Sequence, residues 1–368
     1  MTMFVTVLLG LLSLDVLVVF HEFGHLLAAR FFGVKVEAFS VGMGPVLLHK
    51  TALGIDWRLS LLPVGGYCAM KGEKDYQRAL EAELPGIEAE ADSFYGIHPL
   101  KRLAIALAGP AANLLFSVIA SAAVAMAGYT YYSYSAKIRV GTDMEPPVPS
   151  SAAEAGIRTG DTITAVDGAP VENFSDLLEL IGTKPRKTAL ITVERDGKTL
   201  DFKVPIILDK EAASGKIGVG LFDPNEEARE FRSRRHAPLP AVWQGIRETG
   251  RTISLTFTGF RILLSGVNVT KTMAGPAQIT TLLGQTARSG PVHALNLMAL
   301  ISVSLFVMNL LPVPVLDGGL CLFALIEAAT RRKLNPRILY YIQGAGLIVL
   351  AALMVLVVGV DILHFAEK

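Results

Sequence analysis

The stretch VVFHEFGHLLAAR, residues 18–30, places two histidines and a glutamate at the end of an otherwise apolar segment. His21 and His25 are four residues apart, so on a helix they share one face and can bind the same ion through imidazole nitrogens. In a His-Glu-x-x-His arrangement, Glu22 would serve as a general base and not as a ligand. The stretch therefore predicts a zinc site in the first helix. The alternative is a set of polar residues that reach water at a helix end.

The composition indicates a membrane protein. Charged residues make up only 18% of the 368 residues, which is a low share for a soluble domain. Four apolar segments, residues 4–30, 103–128, 292–311 and 338–360, are long enough to cross a hydrocarbon core of about 30 Å. We therefore expect a polytopic α-helical membrane protein with about four transmembrane helices in contact with the lipid bilayer. The net charge of +1 offers no basic excess for a nucleic-acid partner.

Lysine and arginine residues predict the orientation of these spans, because such residues accumulate on the cytoplasmic side. They flank the loop between the first two spans and crowd the loop between the last two (Arg30, Lys35, Lys101, Arg102, Arg331, Arg332, Lys333, Arg337). Both loops should therefore be cytoplasmic. Residues 129–291 and both termini should lie on the opposite side.

Two segments outside the spans predict β-structure. Residues 55–67 (IDWRLSLLPVGGY) predict a membrane-associated β-hairpin, with Pro63 and the Gly65-Gly66 pair forming its turn. Residues 137–206 combine short strands with Asp-Gly turn signals, and residues 150–168 within them resemble the core of a PDZ domain. PDZ domains capture extended peptides by strand addition.

These features divide the chain into four regions. Residues 1–128 form the first half of the membrane domain, 129–207 an inserted α+β PDZ domain, and 291–368 the second half of the membrane domain. Residues 208–290 join them as a charged linker followed by an amphipathic helix, which we expect on the membrane surface.

A carboxylate to complete the zinc site is available after the third span. In residues 309–319 (NLLPVPVLDGG) two prolines should break the helix, which would leave Asp317 on unwound chain beside two glycines. An ordinary helix-ending turn would have the same composition. Together with His21 and His25, Asp317 would form a two-histidine, one-carboxylate zinc site.

The whole chain resembles the site-2 protease family of intramembrane zinc metalloproteases, in particular the bacterial branch that includes the regulator of sigma-E protease. The motifs that carry this resemblance occur in family order around a single PDZ module (His21–His25, Gly42–Pro45, Pro63–Tyr67, Ala108–Asn113, Asn309–Gly319). The resemblance implies that His21, His25 and Asp317 bind Zn²⁺ and that Glu22 is the general acid and base.

The resemblance also implies roles for less distinctive residues. Asn309 would lie near the scissile carbonyl, and Asn113 would line the cavity or bond to a neighbouring helix. The hairpin would bind substrate as an added strand through positions that include Leu61, Gly65 and Gly66. Asp15 departs from the family pattern, and we expect it at a solvated outer end of the first helix.

The predicted function is that of a zinc endopeptidase of the bacterial inner membrane, which cleaves transmembrane segments of single-span proteins already shortened by another protease. Anti-sigma factors and signal-peptide remnants are the substrates that the family suggests, and a periplasmic PDZ domain would control access. The alternative is a non-catalytic PDZ membrane scaffold with a structural metal or none.

Overall fold

The computed structural model describes residues 2–266 and 275–366. Within them the chain forms two compact units. The first contains the chain up to Ala127, residues His236–Ile253 and the helices from residue 275 onward. The second contains Gly128–Arg235 and the described part of residues 254–273. The predicted region 208–290 is thus divided between the two units, and its residues 267–274 lie outside the described chain.

The helices are, in chain order, α1 (Thr2–Phe31), α2 (Glu73–Glu81), α3 (Pro99–Ala127), α4 (Ser151–Glu154), α5 (Phe174–Gly182), α6 (Pro238–Leu263), α7 (Pro276–Ser289), α8 (Pro291–Asn309), α9 (Asp317–Thr330) and α10 (Pro336–Ala366). Of the helices in the described chain, α1, α3, α8 and α10 are by length and composition apolar enough to cross a membrane. They coincide with the four predicted segments, which confirms that part of the prediction.

The start of α9 differs from the sequence-based expectation. Asp317 was expected on unwound chain, whereas it is the first residue of a helix. The unwound part is residues 310–316, where Pro312 and Pro314 interrupt the chain. The backbone amide of Gly319 then donates to the carbonyl of Leu316 and starts the new helix. The carboxylate therefore projects from a helix end and not from a loose loop.

Strands β1 (Val36–Ala52) and β2 (Ile55–Met70) form a sheet of four chain segments in the first unit. Residues 46–52 pair antiparallel with 55–60 around Leu53 and Gly54, which both have positive φ (55° and 76°). Residues 38–41 pair with residues 56–59 in a register in which the residue numbers of both segments increase in the same direction. On its opposite edge, the segment 36–41 pairs antiparallel with residues 66–70. The order across the sheet is therefore 46–52, 55–60, 36–41, 66–70.

The predicted hairpin turn is consequently wrong. The tight turn lies at Leu53–Gly54, whereas Pro63–Gly65 leads from an inner segment to the edge segment 66–70. Apolar side chains around the turn and at the far side of this sheet are exposed (Met43, Val46, Leu47, Leu48, Leu53, Leu59, Leu61, Leu62, Val64). A surface on which many apolar side chains are exposed together is typical of contact with lipid or another protein.

The second unit contains the predicted PDZ region. Its strands are β3 (Thr130–Ser133), β4 (Ile138–Val140), β5 (Thr162–Val166), β6 (Ala169–Pro170), β7 (Thr188–Arg195), β8 (Lys198–Pro205), β9 (Ile207–Asp209), β10 (Ser214–Lys216), β11 (Val219–Leu221) and β12 (Arg229–Arg232). The main sheet has the order β6-β5-β7-β8, and α5 packs on a core that includes Ile163 and Ile191.

This unit extends beyond the predicted boundary at residue 207. Strand β11 pairs with β4, and β12 pairs with β3, so the chain returns to the start of the unit. The charged part of the predicted linker therefore includes strand β12 of this unit, whose first segment runs to Arg235. Turn signals are local, so they did not reveal these pairings between distant segments.

Candidate metal centre

The structure brings His21, His25 and Asp317 together. Nε2 of His21 lies 3.2 Å from Nε2 of His25 and 3.0 Å from Oδ2 of Asp317, and Nε2 of His25 lies 3.3 Å from Oδ1 of Asp317. One ligand atom from each residue can be chosen so that all three lie within 4.8 Å of one another. Zinc bonds of about 2.0–2.2 Å in tetrahedral geometry separate neighbouring ligand atoms by about 3.3 Å. The spacing therefore fits one zinc ion.

Hydrogen bonds on the far side of each imidazole also fit a bound metal. Nδ1 of His25 lies 2.8 Å from the carbonyl oxygen of Ile105, so Nδ1–H donates and Nε2 keeps its lone pair. Nδ1 of His21 lies 3.1 Å from the side-chain amide of Asn113. Oδ1 of that amide is buried without a partner among the described residues.

The unpartnered oxygen of Asn113 is itself an indication of metal binding. If Nε2 of His21 binds a metal, Nδ1 carries the hydrogen and needs an acceptor. Turning the amide by 180° would present Oδ1 to that hydrogen as its acceptor. Asn113 is fully buried, and its backbone carbonyl accepts a hydrogen bond of 2.8 Å from Oγ of Ser302 on α8. Asn113 therefore bonds to the neighbouring helix α1 through His21.

Helix α3 is shaped to receive the two imidazoles. A β-carbon added at Gly109 would lie 2.3 Å from Nε2 of His25 and 2.7 Å from Nε2 of His21, so only glycine fits there. Pro110 follows inside the helix and has no amide hydrogen for the carbonyl of Ala106. This break in the hydrogen-bond ladder lies next to Ile105, whose carbonyl accepts from His25.

The two glycines after Asp317 allow α9 to start close to the preceding loop. A β-carbon at Gly318 would lie 2.2 Å from the carbonyl oxygen of Leu311, and one at Gly319 would lie 2.5 Å from that of Val313. Val315 has a φ of 93°, a strained conformation for a β-branched residue. The loop is thus held tightly just before the carboxylate.

Glu22 lies beside the metal centre, next to the edge segment 66–70. Its carboxylate accepts a hydrogen bond from the backbone amide of Cys68. A β-carbon at Gly66 would lie 3.9 Å from Cγ of Glu22. Glu22 is half-buried and is not one of the three clustered ligands. An acid in this position can exchange a proton with a water molecule at the metal centre.

Neither cysteine belongs to the cluster of His21, His25 and Asp317. Burial, with the charge of Glu22, raises the pKa of the Cys68 thiol to about 12. Burial, with the charge of Asp317, raises the pKa of the Cys321 thiol to about 11. Both thiols are free, and these raised pKa values favour the protonated, less nucleophilic form of each thiol.

The other predicted site residues have different positions. Leu61 is 53% exposed, and Gly65 and Gly66 lead into the edge segment that reaches Glu22. Asn309 is the half-buried last residue of α8, where the loop to Asp317 begins. Asp15, expected at a solvated helix end, is only 7% exposed, and its Oδ1 has no partner among the described residues.

Sequence reasoning missed the contributions of Gly109, the Ile105 carbonyl and Ser302. Gly109 belongs to the motif AGPAAN, so its glycine-proline pair was visible. The role of Gly109 depends on a contact between α1 and α3 that no periodicity indicates. A backbone carbonyl and a serine in an apolar helix carry no sequence signal of their own.

Known proteins match nearly the whole chain. The model of Peptidase family M50 matches residues 9–353. Three bacterial relatives are named "Putative zinc metalloprotease". That of Treponema pallidum is 31% identical over 93% of this chain and 95% of its own length. That of Rhizobium meliloti is 33% identical over 89% of this chain and 88% of its own length. That of Campylobacter jejuni is 32% identical over 95% of this chain and 91% of its own length.

One solved structure is similar to a part of this chain. The crystal structure of the HtrA3 PDZ domain bound to a phage-derived ligand is 22% identical over 25% of this chain and 92% of that chain, with a TM-score of 0.15.

Proposed function

This chain belongs to peptidase family M50, the site-2 protease family, and we propose that it is an intramembrane zinc endopeptidase. The observation that carries the proposal is the convergence of His21, His25 and Asp317 beside Glu22 in a bundle of apolar helices. The substrate would be a transmembrane segment, cleaved within or at the edge of the bilayer.

The residues of the centre have complementary roles in this proposal. His21, His25 and Asp317 would hold the zinc ion, which when bound lowers the pKa of a coordinated water and polarises the scissile carbonyl. Glu22 would take the proton of that water and deliver it to the leaving amine. Asn113 and the carbonyl of Ile105 fix the two imidazoles, and Asn309 would contact the substrate near the scissile carbonyl.

The edge segment 66–70 offers a way to present the substrate. A helical peptide bond is shielded by its own hydrogen bonds, and unwinding it in a low-dielectric site leaves amides unsatisfied at several kcal/mol each. A strand added to a sheet edge would satisfy them. The amide of Cys68 points from this edge to Glu22, so an added strand would run past the general base. The substrate would also contact Leu61, Gly65 and Gly66, where the chain leads into this edge.

The second unit would select substrates. Its groove of about 540 Å³ is lined by α5 side chains such as Leu177 and Ile181 and by residues 215–219. A groove between a helix and a strand fits an extended peptide. We place this unit on the periplasmic side of the inner membrane, where it would admit single-span proteins already shortened by another protease, such as anti-sigma factors or signal-peptide remnants. This placement rests on the lysine and arginine distribution.

The decisive experiment compares zinc content and peptide cleavage in the purified parent protein and in Glu22→Gln. The proposal expects one zinc per chain in both proteins and cleavage of a model transmembrane peptide by the parent alone. General acid–base groups contribute about 10²–10⁴-fold to rate, so the variant should lose at least two orders of magnitude. Equal cleavage by both proteins would contradict the role of Glu22. A zinc-bound parent without cleavage of any membrane peptide would favour the scaffold alternative.

A further inference from the structure

A buried ion pair joins α3 to α9 at a distance from the metal centre. Nη2 of Arg102 lies 2.8 Å from Oε2 of Glu327, and the side chains are 8% and 13% exposed. The guanidinium lies 5.9 Å from the ring centre of Tyr95. A cavity of about 30 Å³ beside the pair, also lined by Lys333, has room for a water molecule. Nε of Arg102 is buried without a partner among the described residues.

The two helices joined by this pair carry opposite sides of the metal centre. Helix α3 contributes Gly109 and Asn113, which contact the imidazoles, and α9 begins at Asp317. Arg102 precedes Gly109 by seven residues, about 10 Å of helix, and Glu327 follows Asp317 by ten, about 15 Å. The helices therefore run antiparallel, with the metal centre at one end of their contact and the ion pair at the other.

Asp317 depends on the placement of its helix. The residue before it, Leu316, provides no side-chain cap, and the loop leading to it contains Val315 in a strained conformation. If α9 slid along α3 by one turn, Asp317 would move by about 5.4 Å, and the centre would lose its carboxylate. The same movement would separate two buried charges, which is strongly unfavourable because neither is then compensated. The ion pair thus makes it energetically unfavourable for α9 to slide along α3, the movement that would take Asp317 away from the metal centre.

We propose that Arg102 and Glu327 are positioning residues, which fix the register of α9 on α3 and thereby hold Asp317 at the zinc ion. The proposal rests on the zinc site of the proposed function. A buried ion pair is on balance no more stabilising than apolar residues of similar volume. The proposal therefore assigns the pair to fixing the register of the two helices and not to raising the stability of the protein.

The test measures the rate at which the full-length, zinc-loaded protein in detergent loses zinc to a chelator. Arg102→Met and Glu327→Gln each leave one buried charge unpaired. The apolar double variant Arg102→Met/Glu327→Leu removes both charges, and Arg102→Glu/Glu327→Arg reverses them. Arg337→Gln is the matched control, because Arg337 pairs with Glu83 near the same end of the helices but both side chains are exposed. Thermal unfolding is recorded for every variant.

We expect zinc loss about tenfold faster in both single variants, the size of effect that residues supporting metal ligands have on metal affinity. The apolar double variant should regain the parental unfolding temperature but still lose zinc quickly, and the reversed pair should restore slow zinc loss. Arg337→Gln should behave as the parent. Parental zinc retention in the apolar double variant would overturn this inference alone. A parent protein that takes up no zinc would overturn the proposed function and this inference with it.

Discussion

Gly109 lies directly against His25, so that a β-carbon at position 109 would lie 2.3 Å from Nε2. We expect Gly109→Ala to abolish zinc binding, because the methyl group would occupy the space in which the imidazole and the ion meet. Zinc content of the purified variant measures this. Gly344→Ala on α10 is the control, since a β-carbon there meets no atom within 4 Å, and it should bind zinc normally. Full zinc content in Gly109→Ala would contradict the described geometry.

Asp15 is a buried acid whose Oδ1 has no partner among the described residues. A buried polar group without a partner costs about 1–3 kcal/mol. We therefore predict that Asp15→Leu, which keeps the number and branching of the side-chain heavy atoms, raises the free energy of unfolding in detergent by an amount in that range. Asp361→Leu is the contrasting variant. Asp361 accepts hydrogen bonds from the amides of Gly275 and Ala277, and its loss should destabilise the protein. Destabilisation by Asp15→Leu would show that Asp15 makes a favourable interaction.

The edge segment 66–70 predicts a specific effect of substrate N-methylation. A methyl group on a backbone nitrogen next to the scissile bond removes a donor from an added strand and should slow cleavage about tenfold, the equivalent of one hydrogen bond. The same methyl group loosens the substrate helix, so a mechanism limited by unwinding alone would instead cleave faster. N-methylation far from the scissile bond is the control.

The edge cannot be tested by a proline substitution on the inner segment 55–60, as Ser60 illustrates. Ser60 is 5% exposed, lies on an inner segment and bonds through Oγ to Ser40 at 2.9 Å. We expect Ser60→Pro to disrupt the sheet.

The groove of the second unit should set substrate length. We predict that removal of residues 128–235, the larger of the two segments of the second unit, leaves zinc content unchanged and allows cleavage of long substrates that the parent rejects. Leu178→Arg places a charge in the groove at a position 59% exposed, and it should alter length selection without unfolding the unit. The measurement is the ratio of cleavage rates for a short and a long substrate. An unchanged ratio in both variants would exclude a selective role.

The lysine and arginine distribution predicts the topology. Reporter fusions at residues 85 and 334 should be cytoplasmic, and fusions at residues 170 and 366 should be extracytoplasmic. In the structure the two loops expected in the cytoplasm contact each other, since Nζ of Lys333 donates to the carbonyl of Ile87 and Arg337 pairs with Glu83. They must therefore lie on the same side of the membrane. Reporter signals from opposite sides at residues 85 and 334 would contradict this contact.

Several features of this protein could be predicted from short, local patterns in its sequence. Apolar length predicted the four helices that are long and apolar enough to cross a membrane, and the spacing of His21 and His25 placed both imidazoles on one helical face. Asp-Gly turns and a PDZ-like core predicted a β-rich module between the spans. Each of these signals depends only on residues that are close in the sequence, so it can be recognised without knowledge of the fold.

The relationships between segments that are distant in the chain became apparent from the folded protein alone. It placed Asp317 at the start of a helix, put residues 66–70 at the sheet edge beside Glu22, and closed the second unit with strands beyond residue 207. The contact of Gly109 with the imidazoles and the pairing of Arg102 with Glu327 could not be predicted from a sequence pattern, because both arise from packing between helices. Such contacts are set by close packing and by the need to pair buried polar groups, and neither condition has a period along the chain.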